Sequence, residues 1–372
     1  MSDFSQLDKQ IYYVKIIIWE GCPLRCTYCF VDKENNRGIE IHTLEKFIDL
    51  LLYTPGHNKL LHLLWWEPLM YFSQIQHAVV YARNLEKKLG KQLDISFCTS
   101  GIGFTQEKLN FIAEHDIYLA WSIDGPAEIH NRNRVMQWGK WSFESVIHHQ
   151  EKIISTIKKT HLWIAMTVDE NTVESMFESY YYLINTLGFN CTVNIAPVDG
   201  KLWSKKSQKL WITELVKIYE YIMGEIEKGR YLYLNAFNKE FRFHMISQKN
   251  KGRCLWFYTE WFTNGDVLFN PFVNKEEDFS RYVVGNVNDI DFIQKVEKYV
   301  GCTFENHSKQ CNDCRTSYFQ DSQKFLQVVQ MNHLLALRDR VTEHYSKKMY
   351  LQAKIDAHFQ DYINTAKDYM YV

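Results

Sequence analysis

The sequence predicts an α/β fold with a parallel sheet, because short apolar segments alternate with helical patterns along most of the first 200 residues. The apolar segments are rich in Ile, Val, Leu and aromatic residues, which is typical of buried strands. Six such segments lie at residues 11–19, 60–65, 94–98, 117–122, 161–167 and 190–195. Six strands fit either a doubly wound sheet or a partial barrel, and in both folds the chemistry lies at the carboxyl ends of the strands.

The intervening helices are predicted from the spacing of their apolar side chains. Residues 44–52 carry them at i, i+3, i+4, i+7 and i+8, which gives one apolar face. Ser73 with Gln76 has the form of a capping box for the next helix, and Gly90 marks its end. Further helical patterns cover residues 106–115, 142–158, 174–187 and 210–228.

Length and charge set limits on domain number and partners. The 372 residues are enough for two domains. We expect a barrel over residues 1–228, a small irregular domain over residues 229–320 and a helical segment over residues 321–372. Lys and Arg total 43 against 44 Asp and Glu, so no net basic field is present to hold nucleic acid or an anionic membrane. No signal peptide and no apolar run of about 18 residues is found, which predicts a soluble, cytoplasmic chain.

The nine cysteines indicate metal binding rather than disulfides, because their number is odd and no secretion signal precedes them. Two of them, Cys98 and Cys191, stand alone on apolar segments and are expected to be ordinary buried thiols. The other seven form an N-terminal group and a C-terminal group, namely Cys22, Cys26 and Cys29, and Cys254, Cys302, Cys311 and Cys314.

The N-terminal group has the spacing C-x3-C-x2-C and comes directly after the first predicted strand. This spacing lets one short loop wrap three thiolates around a single cluster, and three ligands leave one iron of a 4Fe-4S cube without a protein ligand. A structural zinc site is the alternative, but it requires four closed ligands and usually two C-x2-C pairs. The spacing therefore favours an iron–sulfur cluster.

This loop resembles the radical S-adenosylmethionine (SAM) superfamily. By that resemblance Cys22, Cys26 and Cys29 would hold a 4Fe-4S cluster and SAM would chelate the fourth iron, while Tyr28 matches the aromatic position before the last cysteine. The resemblance implies a partial (β/α)6 barrel of the TIM type. It also implies that the reduced cluster cleaves SAM to methionine and a 5′-deoxyadenosyl radical, which then takes a hydrogen atom from the substrate.

Three further segments extend the resemblance. Trp66–Leu69 stands where the family has Gly-Gly-Glu-Pro, and Thr99–Gly101 is similar to its Thr-Asn-Gly. Ser122–Pro126, followed by His130 and Arg134, resembles the S-x-D-G-P...H...R stretch of the peptide- and protein-modifying subgroup.

The resemblance also assigns contacts to SAM. Glu67 would engage its amino group, and the backbone at Ile195 would lie near its adenine. Ser122 and Arg134 would contact its ribose or carboxylate, for which an arginine fork is well suited. With Tyr28, these residues form the expected SAM site.

One departure from the family pattern concerns the two glycines that let the backbone pass close to SAM, since this chain has Trp65 and Trp66 in their place. Tryptophan brings a large side chain and loses easy access to positive φ. Either the loop is rebuilt or SAM binding is impaired. Asp124 and Asp266 lie in loops where aspartate commonly serves as a turn residue or helix cap, so no catalytic base is assigned to them.

The C-terminal cysteines resemble a SPASM or twitch extension that carries auxiliary clusters. The family pattern G-x4-C appears here as Gly265-x4-Asn270, and Pro271 follows where sulfatase maturases have an acid. Four thiols remain for one auxiliary 4Fe-4S cluster, with His307 as a substitute for Cys302; the four are Cys254, Cys302, Cys311 and Cys314. A zinc tetrad is the alternative.

The resemblance implies a peptide maturase that abstracts hydrogen from a ribosomally synthesised precursor peptide and installs a C–C, ether or thioether crosslink. Two alternatives remain open: oxidation of Cys or Ser to formylglycine, as in sulfatase maturases, and a non-catalytic iron–sulfur protein that binds a peptide. The expected partners are the precursor peptide and an external electron donor such as flavodoxin or ferredoxin. The first strand begins by about residue 11, so leader recognition is expected to need another surface or a separate protein.

Overall fold

A sheet of nine strands organises the computed structural model, in the order β6-β5-β4-β3-β2-β1-β7-β8-β9. The described residues are 11, 13–29, 37–65, 67–198, 202–237, 259–269, 283–289, 291–292, 294–295 and 322–366. The first six strands pair in parallel and are Tyr13–Trp19, Asn58–Trp65, Gln92–Thr99, Tyr118–Ser122, Leu162–Val168 and Thr192–Pro197. Because each strand lies beside its neighbour in sequence, the sheet lacks the reversal of a doubly wound fold, and the predicted α/β partial barrel is confirmed.

Helices connect the parallel strands. They are α1 Ile41–Tyr53, α2 Phe72–Leu89, α3 Gln106–Glu114, α4 Ala127–Asn133, α5 Phe143–Ile147, α6 Gln150–Thr156, α7 Met176–Tyr181 and α8 Lys205–Glu227. Two further helices, α9 Ser322–Gln352 and α10 Ala357–Ala366, confirm the predicted C-terminal helices. Trp211 of α8 donates from its indole Nε1 to the Leu334 carbonyl of α9 at 3.2 Å, so the C-terminal helices pack on the barrel. No helix among the described residues is long and apolar enough to span a membrane.

The structure corrects three details of the predicted helices. The capping box is wrong, because α2 begins at Phe72 without a side-chain cap. A 3-10 turn at Pro68–Tyr71, capped by the Glu67 side chain, runs directly into α2 and supplies its start. The single helix predicted over residues 142–158 is divided into α5 and α6, and the end of the helix predicted over residues 174–187 widens into a π-turn at Tyr182–Thr186.

The two faces of the sheet differ in polarity, as the alternation of side chains along a strand requires. On β1, Val14, Ile16 and Ile18 are buried in the hydrophobic core. Lys15 points to the opposite face, where the register places it beside His62 of β2 and then Ser96 of β3. Lys15, His62 and Ser96 therefore form a polar row across this face of the sheet.

Three short strands extend the sheet beyond β1. These are β7 Thr259–Trp261, β8 Asp266–Phe269 and β9 Val283–Asn286, and β7 pairs in parallel with β1. A turn with Gly265 at φ +91° joins β7 to β8. Most of residues 229–320 lies outside the described residues, so the division of the chain at residues 228 and 320 stays a prediction.

Candidate functional site

The cysteine loop, residues 20–29, leaves the carboxyl end of β1 and is held by backbone hydrogen bonds to residues 133–137. Arg25 N donates to the Val135 carbonyl at 2.7 Å, and Thr27 N donates to the Asn133 carbonyl at 2.8 Å. Gln137 returns two bonds, from its backbone N to Pro23 O at 2.7 Å and from its Nε2 to Cys22 O at 2.6 Å. A segment more than 100 residues away in sequence therefore fixes the shape of the loop.

The three thiols of this loop are a donor set of the kind that holds an iron–sulfur cluster. Cys22, Cys26 and Cys29 are each partly exposed. Within the described residues, no three His, Cys, Asp or Glu side chains converge on one ion. A cubane cluster takes its thiolates on separate irons, so three spaced sulfurs on one loop suit it. Leu24 N also donates to Cys22 Sγ at 3.4 Å, the kind of N–H to sulfur contact that tunes such clusters.

Asp124, just past the end of β4, joins the cysteine loop to the sheet. Its Oδ2 accepts from the Tyr28 hydroxyl at 2.7 Å and from Arg134 Nε at 2.8 Å. Its Oδ1 accepts from Arg134 Nη2 at 3.0 Å and from the backbone N of Thr167 on β5 at 2.9 Å. The reading of Asp124 as a turn or cap residue is therefore wrong, because the carboxylate is buried and shared by three separate segments.

The charges of this group are balanced. Burial alone would raise the pKa of Asp124, but the bidentate Arg134 guanidinium holds it below its ordinary value. Burial raises the pKa of Tyr28 well above its ordinary value, and Asp124 acts in the same direction against Arg134. Tyr28 is therefore a neutral hydrogen-bond donor. The Arg134 guanidinium carbon also lies 5.4 Å from the centre of the Tyr28 ring, within cation–π range.

Glu67 lies at the carboxyl end of β2, fully buried. Its carboxylate accepts from Thr99 Oγ1 at 2.5 Å, from Ser100 N at 2.8 Å, from the Ser100 hydroxyl and from Leu69 N at 3.3 Å. Burial raises the pKa of Glu67, and these hydrogen bonds oppose the rise. The Thr99–Gly101 segment therefore serves as a clamp for Glu67. A contact with the amino group of SAM would add to these bonds or replace one of them.

Cys98 belongs to this site and not to the apolar core. Its thiol is partly exposed and lies 3.5 Å from the hydroxyl of Ser122, on the neighbouring strand. Burial raises the pKa of Cys98, and the hydrogen bond with Ser122 opposes the rise. The expectation of a thiol in the apolar core is thus wrong for Cys98, whose side chain lies on the polar face and is partly exposed. It agrees with the structure for Cys191, which is buried.

The predicted site residues are only partly brought together. Tyr28 and Arg134 meet at Asp124, while Ser122 lies beside Cys98. The side chain of Ile195 packs in the core from β6, opposite Met166 of β5, so only its backbone is near the strand ends. The proposed auxiliary ligands lie outside the described residues, as do Trp66, Asn270 and His307; these ligands are Cys254, Cys302, Cys311 and Cys314.

Comparisons with known proteins agree with this geometry. The model of the Radical SAM superfamily matches residues 16–179. A serine-type anaerobic sulfatase-maturating enzyme of Bacteroides thetaiotaomicron is 29% identical over 181 residues, which covers 44% of this chain and 41% of the relative. A cysteine-type anaerobic sulfatase-maturating enzyme of Clostridium perfringens is 25% identical over 171 residues, 44% of this chain and 45% of the relative. These matches thus cover less than half the length of the curated relatives.

The solved structures that are similar to this chain include native anSMEcpe with bound AdoMet and Cp18Cys peptide. It superposes with a TM-score of 0.66 at 17% identity, covering 90% of this chain and 99% of that chain. The same protein with bound AdoMet alone gives a TM-score of 0.64 at 17% identity, covering 88% of this chain and 100% of that chain. At these identities the likeness supports the fold.

Proposed function

We propose that this chain, whose residues 16–179 match the model of the Radical SAM superfamily, is a radical SAM peptide maturase. In this proposal it removes hydrogen from a residue of a ribosomally synthesised precursor peptide and installs a crosslink. The observation that carries the proposal is the cysteine loop, which presents three partly exposed thiols at the carboxyl edge of the sheet. The names of the sulfatase-maturating relatives support a peptide or protein as the substrate.

Cys22, Cys26 and Cys29 would hold the 4Fe-4S cluster, and SAM would bind at the iron that they leave open. When bound, the two cofactors would supply a 5′-deoxyadenosyl radical for hydrogen abstraction. Residues at the strand ends would position SAM, namely Tyr28, Glu67, Ser122, Arg134 and the backbone of Ile195. A second cluster on Cys254, Cys302, Cys311 and Cys314 would serve as an auxiliary site.

The chain itself contributes rigidity to this site. The pair Arg134–Asp124 is buried and bidentate, so it holds the loop at Tyr28 in one position without help from a ligand. The Arg134 fork is already occupied by Asp124. Arg134 would therefore act on SAM indirectly, through its placement of Asp124 and Tyr28.

Anaerobic reconstitution with iron and sulfide tests this proposal. The protein is incubated with SAM and dithionite, and 5′-deoxyadenosine is measured by mass spectrometry. We expect its formation by the native chain and by Cys191→Ala, which removes a buried thiol remote from the loop, and its loss in Cys22→Ala, Cys26→Ala and Cys29→Ala. An intact cluster without SAM cleavage would instead identify a non-catalytic peptide-binding protein. Stoichiometric zinc without acid-labile sulfide would exclude both.

A second candidate function is oxidation of Cys or Ser to formylglycine, which the sulfatase-maturating relatives favour. Both reactions on serine remove two hydrogens, so mass alone does not separate them. Formylglycine reacts with hydrazide reagents and a crosslink does not. Incubation with a candidate precursor peptide encoded beside the gene and with a sulfatase peptide, followed by hydrazide labelling, distinguishes the two products.

A further inference from the structure

Residues 135–141 form a hairpin that carries two exposed tryptophans. Met136 N donates to the Lys140 carbonyl at 2.8 Å, and Gly139, at φ +78°, turns the chain at the tip. Trp138 is 62% exposed and Trp141 is 78% exposed. Indoles this open are unusual on a soluble surface, and tryptophan is strongly enriched at the energetic centres of protein interfaces.

The hairpin is attached to the cysteine loop through its first residues, 135–137. Leu24 forms an antiparallel bridge with Met136, and Val135 pairs with Trp141 on the far side. Gln137, between Met136 and Trp138, donates to the carbonyl of Cys22 at 2.6 Å. The hairpin that carries the exposed indoles is thus bonded directly to the loop whose thiols would hold the cluster.

The charged side chains that the structure describes in residues 22–29 of the cysteine loop and in the hairpin are all basic. Arg25 in the loop and Lys140 in the hairpin are exposed. Neither residues 22–29 nor residues 135–141 include an Asp or Glu, although the whole chain has a net charge of −1. Among the described residues, the flanking acids are Glu20, whose carboxylate accepts from the Thr263 hydroxyl, and the exposed Glu144; Asp32 and Glu34 lie outside the described residues. A local basic surface beside two indoles is complementary to an acidic protein.

We propose that the hairpin of residues 135–141, with Arg25, is the docking surface for an acidic one-electron carrier protein. This inference rests on the proposed function, because the cluster must be reduced before SAM is cleaved. One electron leaves the reduced carrier, which is oxidised by one electron, and the cluster is reduced from its 2+ to its 1+ state without transfer of atoms. Electron tunnelling falls steeply with distance, so a carrier seated on the indoles would be well placed.

The test uses the full reconstituted chain and a reduced flavodoxin of net negative charge as the probe. Stopped-flow bleaching of the cluster gives the rate of reduction by flavodoxin, and dithionite serves as a small reductant that needs no docking surface. Binding of oxidised flavodoxin to the unreconstituted chain is measured separately by calorimetry. We expect the double variant Trp138→Ala/Trp141→Ala to lower both the reduction rate and the affinity by about tenfold or more. Ile355→Ala, which removes another highly exposed apolar side chain, should change neither.

Lys140→Glu should lower the rate of reduction by flavodoxin, most at low salt, and flatten its salt dependence. Lys206→Glu, at an exposed position of α8, should do neither. Equal rates with flavodoxin for native and double-variant proteins would overturn the proposal, as would weaker binding of precursor peptide with unchanged flavodoxin kinetics. The dithionite arm separates the two hypotheses: if no cluster forms or dithionite reduction yields no 5′-deoxyadenosine, the proposed function fails and the docking surface is judged by calorimetry alone.

Discussion

The hydroxyl of Tyr28 donates to Asp124 Oδ2 at 2.7 Å and so joins residues 96 positions apart in the chain. Asp124 in turn receives both arms of Arg134 and the backbone N of Thr167. The cysteine loop is therefore fastened at two places, by Asp124 on one side and by residues 133–137 on the other. This arrangement explains how a loop without helix or strand structure of its own can present three thiols in a fixed order.

Replacement of Asp124 by Asn should destabilise the fold, because it leaves the Arg134 guanidinium buried without an anion. We expect a loss of about 3–5 kcal/mol in the free energy of unfolding, measured with urea, and a lower iron content after reconstitution. Asp116→Asn is the matched control, since its pair with Lys158 is exposed and should contribute less than about 1 kcal/mol. Equal losses for the two variants would show that the Asp124 pair does not support the loop.

His62 should make the stability of the chain fall on mild acidification. Burial lowers the pKa of His62 from 6.5 to about 3, with Lys15 acting in the same direction. The unfolded chain therefore binds a proton below pH 6.5 that the folded chain does not, so the stabilisation is complete above that pH and is lost as the pH falls towards 3. Between pH 7.5 and pH 5.5 this group should cost about 1.4 kcal/mol.

Urea unfolding of the native chain and of His62→Gln at those two pH values measures this effect. The variant should lose less stability on acidification by that amount. His148→Gln, on the exposed turn between α5 and α6, is the control and should keep the native difference. A native-like pH dependence in His62→Gln would contradict the assignment to His62.

Gly101→Ala should destabilise the fold at the Thr99–Gly101 segment, which holds the Glu67 carboxylate. Gly101 has φ +89°, and a Cβ there would lie 2.3 Å from the indole Nε1 of Trp121, which is fully buried. Strain in the left-handed region costs about 1–2 kcal/mol, and the overlap with Trp121 adds about 1–3 kcal/mol. Gly90→Ala, at φ +62° with open space around it, isolates the first effect.

Thermal and urea unfolding of both glycine variants should place Gly101→Ala below Gly90→Ala in stability. If the two variants unfold alike, Trp121 moves aside without cost, and the close packing of Gly101 against Trp121 does not require glycine.

The parallel strands were predictable because their apolar composition depends only on local burial. The cysteine loop was predictable because its three ligands lie within eight residues. The contacts of Asp124 could not be predicted from the sequence, because its partners come from three separate segments that only the fold brings together. These partners are Tyr28, Arg134 and Thr167. A signal was present in the position of Asp124 two residues after Ser122, just beyond the end of a parallel strand, where functional side chains collect.

Other features required the structure for different reasons. Cys98 lies in an apolar run, and only its side-chain contact with Ser122 on the neighbouring strand shows that it is on the polar face. Ser73 fits a capping box in sequence, but the preceding 3-10 turn and its cap Glu67 decide where α2 begins. The exposure of Trp138 and Trp141 depends on a hairpin formed against the cysteine loop, which no periodicity indicates.

The central claim is that Cys22, Cys26 and Cys29 hold a cluster with one iron open to SAM. Electron paramagnetic resonance of the reduced, reconstituted protein, recorded with and without SAM, tests it most directly. The proposed auxiliary ligands are first replaced by Ala so that only the cluster of the cysteine loop can form; they are Cys254, Cys302, Cys311 and Cys314. We predict a 4Fe-4S signal whose g-values shift on addition of SAM and which is absent after further replacement of Cys22, Cys26 and Cys29. A signal that SAM leaves unchanged, or one that survives the loss of these three thiols, would contradict the claim.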